Sequence, residues 1–183
     1  MLTSLQNPLV KSIRKLHQAK ARRSQAQFLL EGTHLIQEAL ATHYPLAIAC
    51  YTPAWAEAHA DLALALERSV ERVELVSDAV LGGMATTEHP DGVVAIAPQI
   101  LCPPNPAIQG IGLAIETLQD PGNLGTIIRT AVAAEVEGLW LSADSVAPDH
   151  PKVLRASAGQ WFRLPLAVGD DLGSLPLEWG QAG

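Results

Sequence analysis

A chain of 183 residues, 48% apolar and only 4% aromatic, has material for one medium domain or two small ones with real cores. No apolar run approaches the roughly 18 residues of a membrane span, and Met1 to Lys11 lacks the apolar stretch of a signal peptide, so a non-membrane, cytoplasmic protein is expected. The net charge of −7 taken alone argues against a nucleic-acid partner, yet residues 1–30 hold Lys11, Arg14, Lys15, Lys20, Arg22 and Arg23 and no Asp or Glu, the pattern of a basic anion-binding arm on an acidic body.

In chain order, Asn7-Pro8 predicts a helix start, because Asn caps free N–H groups and Pro fits the first helical position. Leu9, Ile13 and Leu16 then fall on one stripe of a helix reaching to about Arg23, with Lys11, Arg14, Lys15 and Arg22 on the opposite side. That basic face serves either as a solvated surface or as a contact for RNA phosphates. A short strand at Gln27 to Leu30 leads through Glu31-Gly32 to a helix carrying Leu35, Ile36, Ala39 and Leu40. The alternation continues with a strand near Leu46 to Tyr51, a helix from Pro53 to about Glu67, a strand at Val73 to Val76, a short helix from Ser77 to Met84, and a strand at Val93 to Ala97.

Pro98 to Pro106 breaks every regular pattern, which sets a Pro-rich linker over 98–109 between a first domain at 1–97 and a second at 110–183. Beyond it the pattern restarts with an apolar run Ile111 to Ile115, a helix from about Asn123 to Glu135, a strand Gly138 to Ser142, a helix around Pro151 to Ala158, and a strand near Phe162 to Leu166. Asp170 to Gly183 shows little periodicity, so the second sheet is expected to be short of strands. Cys50 and Cys102 stand far apart without metal-ligand spacing, and the six histidines are scattered, so no metal site is expected.

The segment richest in chemistry is Leu118-Gln119-Asp120-Pro121-Gly122-Asn123-Leu124-Gly125-Thr126-Ile127-Ile128-Arg129-Thr130-Ala131. It reads as strand end, tight loop and helix start, with a partial positive charge at the helix mouth where an anion is stabilised. Leu124, Ile127, Ile128 and Ala131 form the buried stripe, and Arg129 projects off it. Read from the residues alone, Asn123 is either a helix cap or a site residue, and Arg129 either a surface arginine or a ligand contact. The Gly122/Gly125 loop matches neither the dinucleotide fingerprint nor a phosphate-binding P-loop, although a nucleotide-dependent doubly wound enzyme is a third reading.

This segment is similar to the first motif of the SpoU (TrmH-like) RNA 2′-O-ribose methyltransferases. Pro151-Lys152-Val153-Leu154-Arg155-Ala156-Ser157-Ala158-Gly159 with Phe162-Arg163-Leu164-Pro165 looks like the stretch those enzymes carry soon afterwards. Phe28-Leu29-Leu30-Glu31-Gly32 with Leu35, Glu38 and Ala39, and Thr86 to Ala95, resemble their small substrate-binding domain. The resemblance implies an α/β fold: a ribosomal-protein-like substrate-binding domain followed by a SPOUT-type methyltransferase domain. It also implies methyl transfer from S-adenosylmethionine to a ribose 2′-hydroxyl of rRNA or tRNA, with Arg129 and Asn123 catalytic.

Because guanidinium is a poor ordinary base, the favoured role for Arg129 is to steady the developing alkoxide and grip the adjoining phosphate, with proton acceptance by Arg129 as the open alternative. Lys11, Arg14, Lys15, Arg22, Arg23, Glu31 and Gly32 are the candidate substrate-binding residues. The family's later motifs, a Gly-Asn-Glu-Gly stretch and a Ser-Leu-Asn-Val-Ser stretch, are not found before Gly183. The methyltransferase domain, its donor pocket and its homodimer surface are therefore expected to be incomplete, and an RNA-binding module without activity is the competing reading.

Overall fold

The basic N-terminal segment forms two helices where the sequence predicts one. α1 (Pro8–Lys15) is capped by Asn7, whose side-chain oxygen accepts from the Leu9 N–H at 2.9 Å, and α2 (Ala19–Gln25) follows after a turn. Arg22 makes the break: its Nη1 donates to the carbonyls of Leu16 and His17, both at 3.2 Å, satisfying acceptors that the end of α1 leaves open.

The computed structural model describes residues 1–100 and 110–169, and its chain divides into two units, Met1–Gln99 and Ile100–Gly183. Most of the expected linker, Cys102 and the weakly periodic 170–183 stretch lie outside the described residues.

The first unit continues through β1 (Gln27–Glu31), α3 (Thr33–Ala41), β2 (Ile48–Tyr51), α4 (Pro53–Ala58), α5 (Ala60–Ser69), β3 (Arg72–Leu75), α6 (Asp78–Met84) and β4 (Val93–Pro98). The sheet order is β1-β4-β2-β3, with β4 antiparallel to β1 and β2, and β3 parallel to β2. The last strand is thus inserted between the first two. That position explains why Val93 to Ala97 reads as an unbroken apolar run: the strand is buried on both faces. Val94 and Ile96 pack with Cys50 against Ile13 of α1 and Val80 and Met84 of α6. By strand alternation, the fully buried Phe28 and Leu30 turn to the other face. The helix expected over Pro53 to Glu67 is broken at His59 (φ −130°, ψ 49°), whose ring packs on Trp55 with centroids 5.2 Å apart.

The second unit contains β5 (Gly112–Ile115), α7 (Pro121–Ala133), β6 (Gly138–Ser142), α8 (Pro151–Ala156) and β7 (Leu166–Gly169), in a parallel sheet of order β5-β6-β7. The strand expected near Phe162 to Leu166 is displaced. Gln160–Arg163 is a 3-10 turn entered through Gly159 at φ 78°, Trp161 Nε1 donates to the Pro148 carbonyl at 3.0 Å, and the strand begins only at Leu166. Leu124, Ile128 and Ala131 of α7 pack with Leu139, Leu141 and Val153 as the core.

No described helix is long and apolar enough to cross a membrane, and no group of three His, Cys, Asp or Glu side chains among the described residues could hold a metal ion. Cys50 is buried, and burial pushes its thiol up to about 12, which keeps it neutral and unreactive near pH 7.

Candidate active site

The chain leaves β5 at Ile115 and enters α7 at Pro121 through a short loop. Asp120 caps the helix, its Oδ1 accepting from the Asn123 N–H at 2.7 Å. Asn123 is therefore the third helical residue and not the cap, which removes the simplest structural role its sequence position allows. The same carboxylate occupies part of the helix mouth that the sequence reading assigned to an external anion, so that expectation is corrected: the first amides of α7 are engaged in part by the chain itself.

At about 100° per residue, burying Leu124, Gly125, Ile128 and Ala131 leaves Asn123, Thr126, Arg129 and Thr130 on the open side of α7, where all four are exposed. The Thr126 and Thr130 hydroxyls turn back to donate to the carbonyls of Gly122 (3.0 Å) and Thr126 (3.1 Å). Among the described residues no hydrogen bond or ion pair engages the Asn123 side chain or the Arg129 guanidinium. Two polar groups are thus presented on a rigid helix with their bonding capacity unspent.

α8 runs alongside α7 in the same direction. A β-carbon built on Gly122 would lie 3.8 Å from Cε and 4.0 Å from Nζ of Lys152, and one on Gly125 would lie 2.9 Å from both the Ala156 carbonyl carbon and the Ser157 nitrogen. The two helix starts therefore lie together, with the exposed Lys152 beside the first turn of α7, which carries Asn123. Sequence reading did not single out Lys152, which the structure places beside the start of α7. The available signal was positional: Pro151-Lys152 opens the helix after the next strand, as Pro121-Gly122 opens the first.

In the first unit, Lys11, Arg14, Lys15, Lys20 and Arg23 are exposed. Arg22 is not among them. It is 1% exposed, with its guanidinium turned onto the end of α1, which contradicts its assignment to the outward basic face. Glu31 also faces inward at 6% exposure. Its carboxylate accepts from the Thr86 N–H at 2.9 Å, the Thr86 hydroxyl and the Thr87 N–H at 3.3 Å, so it holds the segment after α6 instead of reaching toward a substrate. Gly32, at φ 98°, turns the chain from β1 into α3, where the Thr33 N–H donates to Asp91 Oδ2 at 2.8 Å.

Comparison with known proteins assigns both units. Residues 7–95 match the MRM3-like substrate binding domain, and residues 110–179 match the SpoU rRNA methylase family. The chain belongs to the SpoU methylase family.

Within this SpoU chain the methylase match takes in α7 and α8, hence Asn123, Arg129 and Lys152, and the substrate-binding match takes in α1, α2 and Glu31-Gly32. An uncharacterized tRNA/rRNA methyltransferase of Synechocystis is 52% identical over 166 residues, 90% of this chain and 60% of that protein. The 23S rRNA (guanosine(2553)-2′-O)-methyltransferase RlmP of Bacillus subtilis is 31% identical over 165 residues, 90% of this chain and 63% of that protein. Among solved structures, an AdoMet-bound rRNA methyltransferase from Sinorhizobium meliloti superposes with a TM-score of 0.80 at 32% identity, over 91% of this chain and 63% of that one. The chain thus spans about 60% of the length of the curated relatives it matches.

Proposed function

We propose that this SpoU chain acts on RNA, and that its second unit handles a ribose 2′-hydroxyl during methyl transfer from S-adenosylmethionine. The observation that carries this reading is the pair Asn123 and Arg129, exposed on the open side of α7 and without partners among the described residues. As the 2′-hydroxyl loses its proton, negative charge grows on its oxygen. A guanidinium that stays protonated throughout stabilises that charge and donates in parallel to the neighbouring phosphate. Asn123, one turn and a half before it, supplies an amide that accepts or donates at the same ribose. Lys152 adds a point charge beside the loop, suited to a phosphate.

The donor supplies the methyl group. Among the described residues the face bearing Asn123 and Arg129 is open surface, which suits the ribose and phosphate side of the reaction better than an enclosed, largely apolar adenosyl cleft. In the first unit, Lys11, Arg14, Lys15, Lys20 and Arg23 form the phosphate-contacting surface. A homodimer belongs to the complete family member and is not expected of this chain, which light scattering checks.

The deciding experiment incubates the chain with rRNA or tRNA and labelled S-adenosylmethionine and examines the nucleosides for 2′-O-methyl label, beside calorimetric titration with the donor. In the chain extended to the full length of its relatives, label that disappears in Arg129→Lys while RNA binding persists is the expected result. RNA binding without donor binding or label returns the chain to an RNA-binding module.

A further inference from the structure

Thr117, which starts the loop into α7, takes φ 53°, a left-handed conformation that a β-branched residue seldom adopts. Hydrogen bonds from the loop after β6 hold it there. The Thr117 N–H donates to Ser142 Oγ at 2.8 Å, its hydroxyl donates to Asp144 Oδ2 at 2.9 Å, and the Ser142 hydroxyl donates to Asp144 Oδ1. The next residues are tied to the same loop. The Leu118 N–H donates to Ser145 Oγ at 3.1 Å, the Leu118 carbonyl accepts from the Val146 N–H at 2.7 Å, and Gln119 Nε2 donates to the Asp144 carbonyl at 2.7 Å. Thr117, Gln119 and Asp144 are all exposed, so apolar packing does not account for this conformation.

We propose that Asp144, with Ser142, is a positioning residue for Asn123, acting through Thr117 to set the direction in which the chain enters α7. The proposal rests on the reading of Asn123 and Arg129 as ribose-facing groups. Without the carboxylate, Thr117 relaxes toward an ordinary conformation and residues 118–120 swing with it. Asp120 is then drawn off the Asn123 N–H. Leu124 and Ile128 keep the body of α7 on the sheet, so the disturbance is confined to its first turn.

The test measures amide hydrogen exchange and fluorescence anisotropy of an RNA oligonucleotide on the wild-type chain and on Asp144→Ala, Asp144→Ala with Thr117→Gly, and Arg129→Ala. Asp144→Ala is expected to speed exchange at Leu118 and Asn123 about tenfold, with the β6 strand unaffected, and to weaken RNA binding. Thr117→Gly, which takes a positive φ without a latch, is expected to recover part of both losses. Unchanged exchange at Asn123 overturns the proposal. So does exchange that rises evenly across the second unit, or RNA binding that responds to Arg129→Ala and not to Asp144→Ala. If no variant alters RNA binding while local exchange still rises, the ribose-facing reading has failed and takes the positioning role with it.

Discussion

Gly125 of α7 and Ala156 of α8 meet where no side chain can be inserted: a β-carbon on Gly125 would come within 2.9 Å of the Ala156 carbonyl carbon. Glycine is here a packing residue that lets α7 lie close against the C-terminal end of α8. Gly125→Ala is expected to destabilise the second unit by about 1–3 kcal/mol through overpacking. Gly82 of α6 is the control, because nothing lies within 4 Å of its β-carbon position. Gly82→Ala should stabilise by roughly 0.5–1 kcal/mol, and urea unfolding of the two variants reads the opposite signs.

Arg22 and its basic neighbours should separate stability from RNA binding. Arg22→Ala leaves the Leu16 and His17 carbonyls without their donor and is expected to cost about 1–3 kcal/mol. Lys11→Gln, Lys15→Gln and Arg23→Gln, all at exposed positions, should each stay within about 0.5 kcal/mol of wild type. In RNA titrations across salt concentrations the ranking reverses, with the slope of log affinity falling by roughly 0.7–0.9 for each exposed charge that contacts a phosphate.

Glu31 is the brace of the segment between α6 and β4. Glu31→Ala removes the acceptor for the N–H groups and the hydroxyls of Thr86 and Thr87. A loss of about 1–3 kcal/mol is expected, together with faster limited proteolysis between Ala85 and Gly92. Cleavage at the wild-type rate would show that Asp91 alone holds the segment.

The Asp144 carboxyl is held below the ordinary aspartate range, first by the Ser142 hydroxyl and then by that of Thr117. A folded-state pKa below the unfolded one makes the contribution complete above the unfolded value and lost as pH falls through the folded one. The melting temperature of the wild-type chain should therefore fall on acidification below about pH 4, and Asp144→Asn should flatten that part of the profile. A variant as acid-sensitive as the wild type would remove Asp144 from the titration.

Much of the molecule was legible as pattern. The alternation of apolar runs and helical stripes reads correctly as α/β in both units, because strand and helix periods depend on which side of each element is buried. Arg129 was legible as an off-stripe residue for the same reason, whereas Asn123 could equally have been a helix cap until Asp120 was seen to hold that place. Arg22 was misread because a single continuous helix was assumed, and an angular position means nothing across a turn. Lys152 was missed because proximity between α8 and the start of α7 is not written in either segment.

The sequence by itself determined element type and the basic N-terminal stretch, which follow from local spacing and composition, and it marked the segment around Asn123 through its family resemblance. Only the tertiary structure decided that β4 lies between β1 and β2, that Arg22 and Glu31 turn inward, and that Thr117 is held by Asp144. Those outcomes depend on which donors and acceptors from distant segments meet. A polar side chain is drawn inside wherever folding leaves a buried carbonyl or amide that needs it.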